Sequence, residues 1–113
     1  MQVFFESRHP EGARLRELAE RRLRFAIRRL IWLVPRAKVY LSDVNGPRGG
    51  VDKRCQVELK TQSIGTVVIT ALARDWRSAL ETALARAARA LVRMLRRVRD
   101  RHRPRHRAIS FDH

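Results

Sequence analysis

Between Asp75 and Arg101 apolar residues return every three or four positions: Leu80, Ala83, Leu84, Ala87, Leu91, Met94, Leu95 and Val98. At 100° per residue they form one stripe along a helix. Arg86, Arg89, Arg93, Arg96 and Arg97 fall on the opposite face. This pattern limits the folds open to the chain. The stripe needs another element to cover it, while the guanidinium groups need water or an anion. Asp75 is a good N-cap for the segment, because a short carboxylate accepts from the free amides of a first turn. Pro104 should end regular structure by about Arg103, since a proline ring clashes with the preceding turn. From Ala85 to Arg107 the chain holds ten arginines and one acid, Asp100. Like charges this dense repel one another, which raises the question of the anion they serve.

The remaining segments supply the partner for that stripe. "QVFFE" reads as a first strand, about Gln2 to Glu6. Pro10 and Gly12 mark a turn and a helix start. Ala13 to Leu33 has helical periodicity, with Leu15, Ala19, Leu23, Ala26, Ile27, Leu30 and Leu33 on one face. Arg14, Arg21 and Arg28, seven apart, line the far side, with Arg24 close by and Arg22 and Arg29 flanking. Phe25 and Trp32 also lie on the basic side. Pro35 stops this helix. Ala37–Val44, "DKRCQVELK" and "TVVITALA" read as three further strands separated by the turns "NGPRGG" and "TQSIG". Cys55, Val57 and Leu59 point to the core on the third, and Val67, Ile69, Ala71 and Ala73 on the fourth. The order is β-α-β-β-β-α, an α+β class. Strands two to four should pair antiparallel through short turns. The first helix is a right-handed crossover, which places it on one sheet face. The second helix should bury its stripe on the same face. The expectation is therefore a four-stranded sheet with two helices side by side, similar to double-stranded-RNA-binding-like folds, and with both basic faces toward solvent.

Charge decides the class of partner. Lys and Arg total 26 against 11 Asp and Glu, a net charge of +15 over 113 residues. Such a field attracts phosphate-rich surfaces, RNA and DNA before anionic lipid. The bias toward arginine adds bidentate phosphate contacts and stacking on flat rings. Cys55 is the single cysteine, so no disulfide forms within the chain, which fits a reducing cytoplasm. The start "MQVFFESRHPEG" lacks a signal-peptide pattern, and no apolar run spans a bilayer. The expected protein is soluble and cytoplasmic, one phosphate-binding domain in residues 1–101 with a basic, disordered tail over 102–113.

The element order, the start "MQVFFES", "LRELAERRLRFAI", "LSDVNGPRGGVDKRCQVELK" and "VVITALARDWRSALETALARAARAL" resemble the ribosome hibernation-promoting factor family. That family includes ribosome-associated inhibitor A and sigma-54 modulation protein-like chains. The resemblance covers about Met1 to Arg99. It implies a non-enzymatic protein that binds small-subunit ribosomal RNA in the channel between head and body. There it covers the messenger and transfer RNA sites and halts translation in stress or stationary phase. The resemblance also implies that the basic faces of both helices touch ribosomal RNA: Arg21, Arg24 and Arg28, and Arg86, Arg89, Arg93 and Arg97. Arg96 joins them from its place on the second helix. Long members carry a second domain that pairs ribosomes; this chain has no counterpart and reads as a short form.

Competing readings narrow the chemistry. A solvated helix face usually mixes signs, because opposite pairs help and like pairs hurt; these faces do not. Phe25 and Trp32 are expected to pack at a helix margin rather than to stack on bases, and Trp76 to enter the core. The outer sheet face holds Phe4, Tyr40, Val68 and Leu72. It lacks an RNA-recognition aromatic motif, carries Glu58, and offers at most a weak self-contact for a homo-dimer. Asp43, Asn45 and Asp52 lack the spacing of a calcium loop, and His102 and His106 stand among arginines that repel a cation. No nucleophile context or phosphate-cradling glycine loop is present. No cofactor, metal, membrane or small-molecule substrate is expected. Two rivals remain: a general double-stranded RNA binder outside the ribosome, and a membrane-surface or partner-binding module that uses the last helix as a basic amphipathic element.

Overall fold

The computed structural model describes residues 1–44 and 51–102, with only the backbone of residue 102. The expected turn at 45–50 and the tail from residue 103 onward, with its expected disorder, lie outside the described residues. Strands β1 (Gln2–Ser7), β2 (Arg36–Asp43), β3 (Lys53–Lys60) and β4 (Thr66–Ala73) form one sheet in the order β1-β2-β3-β4. β1 pairs with β2 in parallel, and β2–β3 and β3–β4 pair antiparallel. The parallel pair needs a crossover, and the helical stretch between residues 8 and 35 provides it. The hairpin returns need only short turns. In the β3–β4 turn Gly65 takes φ +113°, a conformation L side chains rarely adopt.

Alternation sorts each strand. In every strand the odd-numbered residues turn toward the helices. Val39, Leu41, Cys55, Val57, Leu59, Val67 and Ala71 are buried there, while Phe4, Val68 and Leu72 on the other face are exposed. The register stacks Leu41, Cys55 and Ala71 in one row and Val39, Val57 and Ile69 in the next. Ala19, Leu23 and Ile27 of the crossover and Leu80, Ala83, Leu84, Ala87 and Leu91 of the last helix pack side by side on this layer in one buried cluster. Burial raises the Cys55 thiol to about 12, because the thiolate would lose its hydration.

The crossover differs from the single helix expected over residues 13–33. It is a one-turn helix α1 (Pro10–Ala13), a helix α2 (Arg16–Ala26), turns, and a 3-10 turn at Ile31–Leu33. Length gives the reason. The crossover must return the chain from the end of β1 to the start of β2, where Gln2 N donates to Pro35 O at 2.8 Å. Six strand residues span about 20 Å at roughly 3.3 Å each. Residues 13–33 in one helix would span about 31 Å at roughly 1.5 Å per residue, and would overshoot. The 11-residue α2 covers about 17 Å, and the turns fold the surplus back. They tuck Leu33 and Val34 into the core at 6% and 0% exposure. At the other end Gly12 presses on β1: a Cβ there would lie 2.3 Å from Ser7 Oγ. The break at Leu15, φ −89° and ψ 4°, redirects the chain into α2.

Helix α3 (Trp76–His102) has no such return to make, and it runs for 27 residues. That is about 40 Å beside strands of about 27 Å. Asp75 caps it as expected. Ser78 N donates to Asp75 Oδ1 at 2.7 Å and Ser78 Oγ to Oδ2 at 2.9 Å. These donors hold the Asp75 carboxyl below its ordinary range, the Ser78 amide being the largest cause. Leu91 is the last fully buried residue of the stripe; Met94, Leu95 and Val98 are half-buried. Met94 lies against Gly65 in the β3–β4 turn, so the final turns of α3 overhang the end of the sheet.

Candidate nucleic-acid interface

Helices α2 and α3 share one sheet face, and a cleft runs between them. Its floor is small and apolar: Ala26 from α2, Ala88 and Val92 from α3. Alanines here leave the two backbones close but the surface between them low. Arginines rise on both banks. Arg28 and Arg29 stand at the end of α2, and Arg89, Arg93 and Arg96 on α3. The section bounded by Arg28, Arg29 and Leu30 encloses about 410 Å³. Toward the start of α3 the cleft continues between Arg22, Phe25, Ala26, Glu81, Leu84 and Ala85.

The ion pairs among the described residues leave most of this charge uncompensated. Glu81 Oε1 lies 3.6 Å from Arg22 Nη2 and 3.7 Å from Arg77 Nε. Arg24 Nε lies 3.7 Å from Glu20 Oε2. Lys53 Nζ lies 2.8 Å from Asp43 Oδ2 and 3.3 Å from the buried Asp52. Arg28, Arg29, Arg89, Arg93 and Arg96 are in none of these pairs. Five cations on the rim of one cleft reinforce each other's field, and low-dielectric walls focus it. This arrangement can hold a chain of phosphates by bidentate contacts.

The eight arginines expected at the interface divide into groups. Arg28, Arg89, Arg93 and Arg96 meet around the cleft. Arg28 does so from the turn after α2, not from a helix as expected, because α2 ends at Ala26. Arg21 and Arg24 sit on other sides of α2; Arg24 Nη2 donates to Met1 O at 3.1 Å, which ties it toward β1. Arg86 and Arg97 are exposed on α3 but do not line the cleft beside Ala26, Ala88 and Val92. Reasoning from the sequence passed over Arg29 as a site residue. The signal that would have found it is the set Ala26, Ala85 and Ala88, small residues interrupting arginine-rich faces where helices approach.

The aromatic side chains also depart from expectation. Phe25 and Trp32 do not pack at a margin; they are 65% and 69% exposed. The α2 stop at Ala26 explains Trp32, since the following turns rotate it out while Leu33 and Val34 turn in. Each ring is held by neighbouring groups. Arg28 Cζ lies 4.3 Å from the Phe25 ring centre, and Arg28 Nη1 donates to Phe25 O at 3.0 Å. Trp32 Nε1 donates to Arg29 O at 3.1 Å. Trp76 enters the core as expected, 6% exposed, with Lys53 Nζ 5.3 Å from its ring.

The opposite sheet face has a different character. Its shallow hollow is lined by Glu6, Lys38, Tyr40, Gln56 and Glu58. Two carboxylates there disfavour phosphate, whereas the helical face concentrates arginine. Among the described residues no helix is long and apolar enough to cross a membrane. Leu80, Leu84 and Leu91 of α3 are buried against the sheet, so the apolar stripe that a membrane-surface role would need is already covered.

Two solved structures share this fold. A ribosomal subunit interface protein from Coxiella burnetii superposes with a TM-score of 0.66 at 16% identity, covering 82% of this chain and 96% of that one. The N-terminal domain of Protein Y from Thermus thermophilus gives 0.61 at 21% identity, covering 82% and 98%. No curated protein matches the chain in sequence. The family model described as sigma 54 modulation protein / S30EA ribosomal protein matches residues 7–103, and the chain belongs to that family.

Proposed function

We propose that this protein is a ribosome-associated translation inhibitor that docks its α2–α3 face on small-subunit ribosomal RNA. It occupies the decoding channel between head and body and excludes messenger and transfer RNA during stress or stationary phase. The mechanism is competition for space, held by phosphate contacts, with no chemical step. One observation carries the reading: in a chain of a ribosomal protein family, Arg28, Arg29, Arg89, Arg93 and Arg96 border one cleft and take no part in the ion pairs among the described residues. The same-fold ribosomal subunit interface protein supports a ribosomal partner. Arg21, Arg24, Arg86 and Arg97 would widen the contact beyond the cleft.

Sedimentation of extracts from resting cells tests the reading. The protein should travel with small subunits or whole ribosomes and leave them as salt rises, because bound phosphates regain their counterions. Purified protein should favour small subunits over a plain RNA duplex at matched salt. Equal affinity for the two would instead support a general double-stranded RNA binder.

A further inference from the structure

We propose that Phe25 is a stacking platform for one unstacked nucleobase of the bound RNA. The proposal rests on the RNA-binding reading above and adds the chemical class of ligand at one place in the cleft.

Three observations point to a flat, uncharged ring. The first is exposure: a phenylalanine 65% exposed on a folded surface leaves apolar area in water, and Phe25 stands outside the buried core cluster. The second is shape. Beside the ring lies a shallow slot bordered by Arg22, Glu81, Ala26 and Ala85, with the buried Leu84 at its base. The small side chains of Ala26 and Ala85 leave room for a planar group. Arg28, three residues after Phe25, holds its guanidinium 4.3 Å from the ring centre. Arg22, three residues before Phe25, bounds the slot. The third is charge. Among the described residues that line the cleft, the carboxylate is Glu81, on the slot. Glu81, paired with Arg22 and Arg77, offsets part of their charge and leaves less for phosphate here, while a neutral ring is tolerated. Phosphates belong instead on the Arg28–Arg29 and Arg89–Arg96 banks, where the described residues lining the cleft include no acid. A base turned out of its strand meets all three conditions. It stacks on an aromatic face while its own phosphates reach nearby arginines. Trp32 is as exposed, but it is not among the residues that line the α2–α3 cleft.

The experiment compares Phe25→Ala, Phe25→Trp and the unaltered protein, with circular dichroism and melting confirming an intact fold. Each is titrated against isolated small ribosomal subunits, and against a ten-nucleotide oligouridine and its abasic counterpart, over a range of salt. The unaltered protein should bind oligouridine more tightly than the abasic strand. Phe25→Ala should lose that preference and roughly 5- to 150-fold in affinity for subunits, the range set by one base–aromatic stack. Its salt slope should stay unchanged, because the phosphate contacts remain. Phe25→Trp should restore both. Equal subunit affinity for Phe25→Ala and the unaltered protein would overturn the stacking role and leave the ribosomal reading standing. A changed salt slope would overturn it too, by showing that Phe25 only positions Arg28. Failure of the unaltered protein to bind subunits, with the oligouridine preference intact, would remove the ribosomal reading and keep the base platform.

Discussion

Arg22 of α2 reaches Glu81 of α3 across the cleft, Nη2 to Oε1 at 3.6 Å, and joins the two helices toward the start of α3. Both side chains are about half exposed, 52% and 44%, so water screens the pair. Arg22→Ala should lower stability by no more than about 1 kcal/mol, read from urea denaturation. A larger loss would mean that the pair, rather than the buried stripe, holds α2 against α3.

The cleft arginines should dominate RNA affinity. Arg89→Glu/Arg93→Glu/Arg96→Glu should abolish binding to small subunits at physiological salt while circular dichroism is preserved. Milder Gln replacements at the same positions should reduce the slope of log affinity against log salt by about 2–3, at roughly 0.7–0.9 per phosphate. Arg86→Gln/Arg97→Gln, outside the cleft lining, should reduce it less. An equal effect from both sets would spread the interface over the whole helix.

Packing of α3 on the sheet should carry much of the stability. Leu91 is 0% exposed, and Leu91→Ala should cost about 2–5 kcal/mol through lost contacts and a residual cavity. Leu95 is half-buried on the overhanging part of α3. Leu95→Ala should cost less, and the order of the two is checked by denaturant titration.

The cap at Asp75 predicts an acid limb. Its carboxyl ionises below the ordinary range when folded, so its contribution is complete above the unfolded carboxylate pKa of about 4. That contribution is lost as pH falls through the lower folded value. Asp75→Asn should keep a cap but flatten the part of the pH–stability curve below about pH 4. Thermal melting from acid to neutral pH checks the change of slope, and an identical curve would remove Asp75 as its source.

Cys55 should be chemically silent in the folded protein. Its thiol is fully buried and raised to about 12, so it stays protonated and out of reach at pH 8. Alkylation by iodoacetamide should then proceed at the rate of unfolding and accelerate in denaturant. Rapid labelling of native protein would show that the sheet opens at β3.

Local periodicity carried most of the elements. The β4 bounds Thr66–Ala73, the cap at Asp75, and the inward sets Cys55–Val57–Leu59 and Leu80–Leu84–Leu91 stand in the structure where alternation and 3.6-residue spacing put them. Those signals depend only on each segment having one wet and one dry face. The basic character of the α3 face was legible for the same reason: arginine at Arg89, Arg93 and Arg96 has nowhere else to go.

What the chain's order of residues could not convey is how far each helix runs and which banks meet. Leu30 and Leu33 fit the apolar face of a longer helix, yet α2 stops at Ala26 because β2 must begin beside β1 and a straight helix would pass it by. That stop exposes Trp32 and moves Arg28 from a helix into the cleft rim. Likewise Arg86 and Arg93 look equivalent on a helical wheel, but only Arg93 lines the cleft beside Ala26. A periodic sequence specifies a direction around its own axis; the neighbour in that direction is set by strand length, crossover and packing, which exist only in the folded chain.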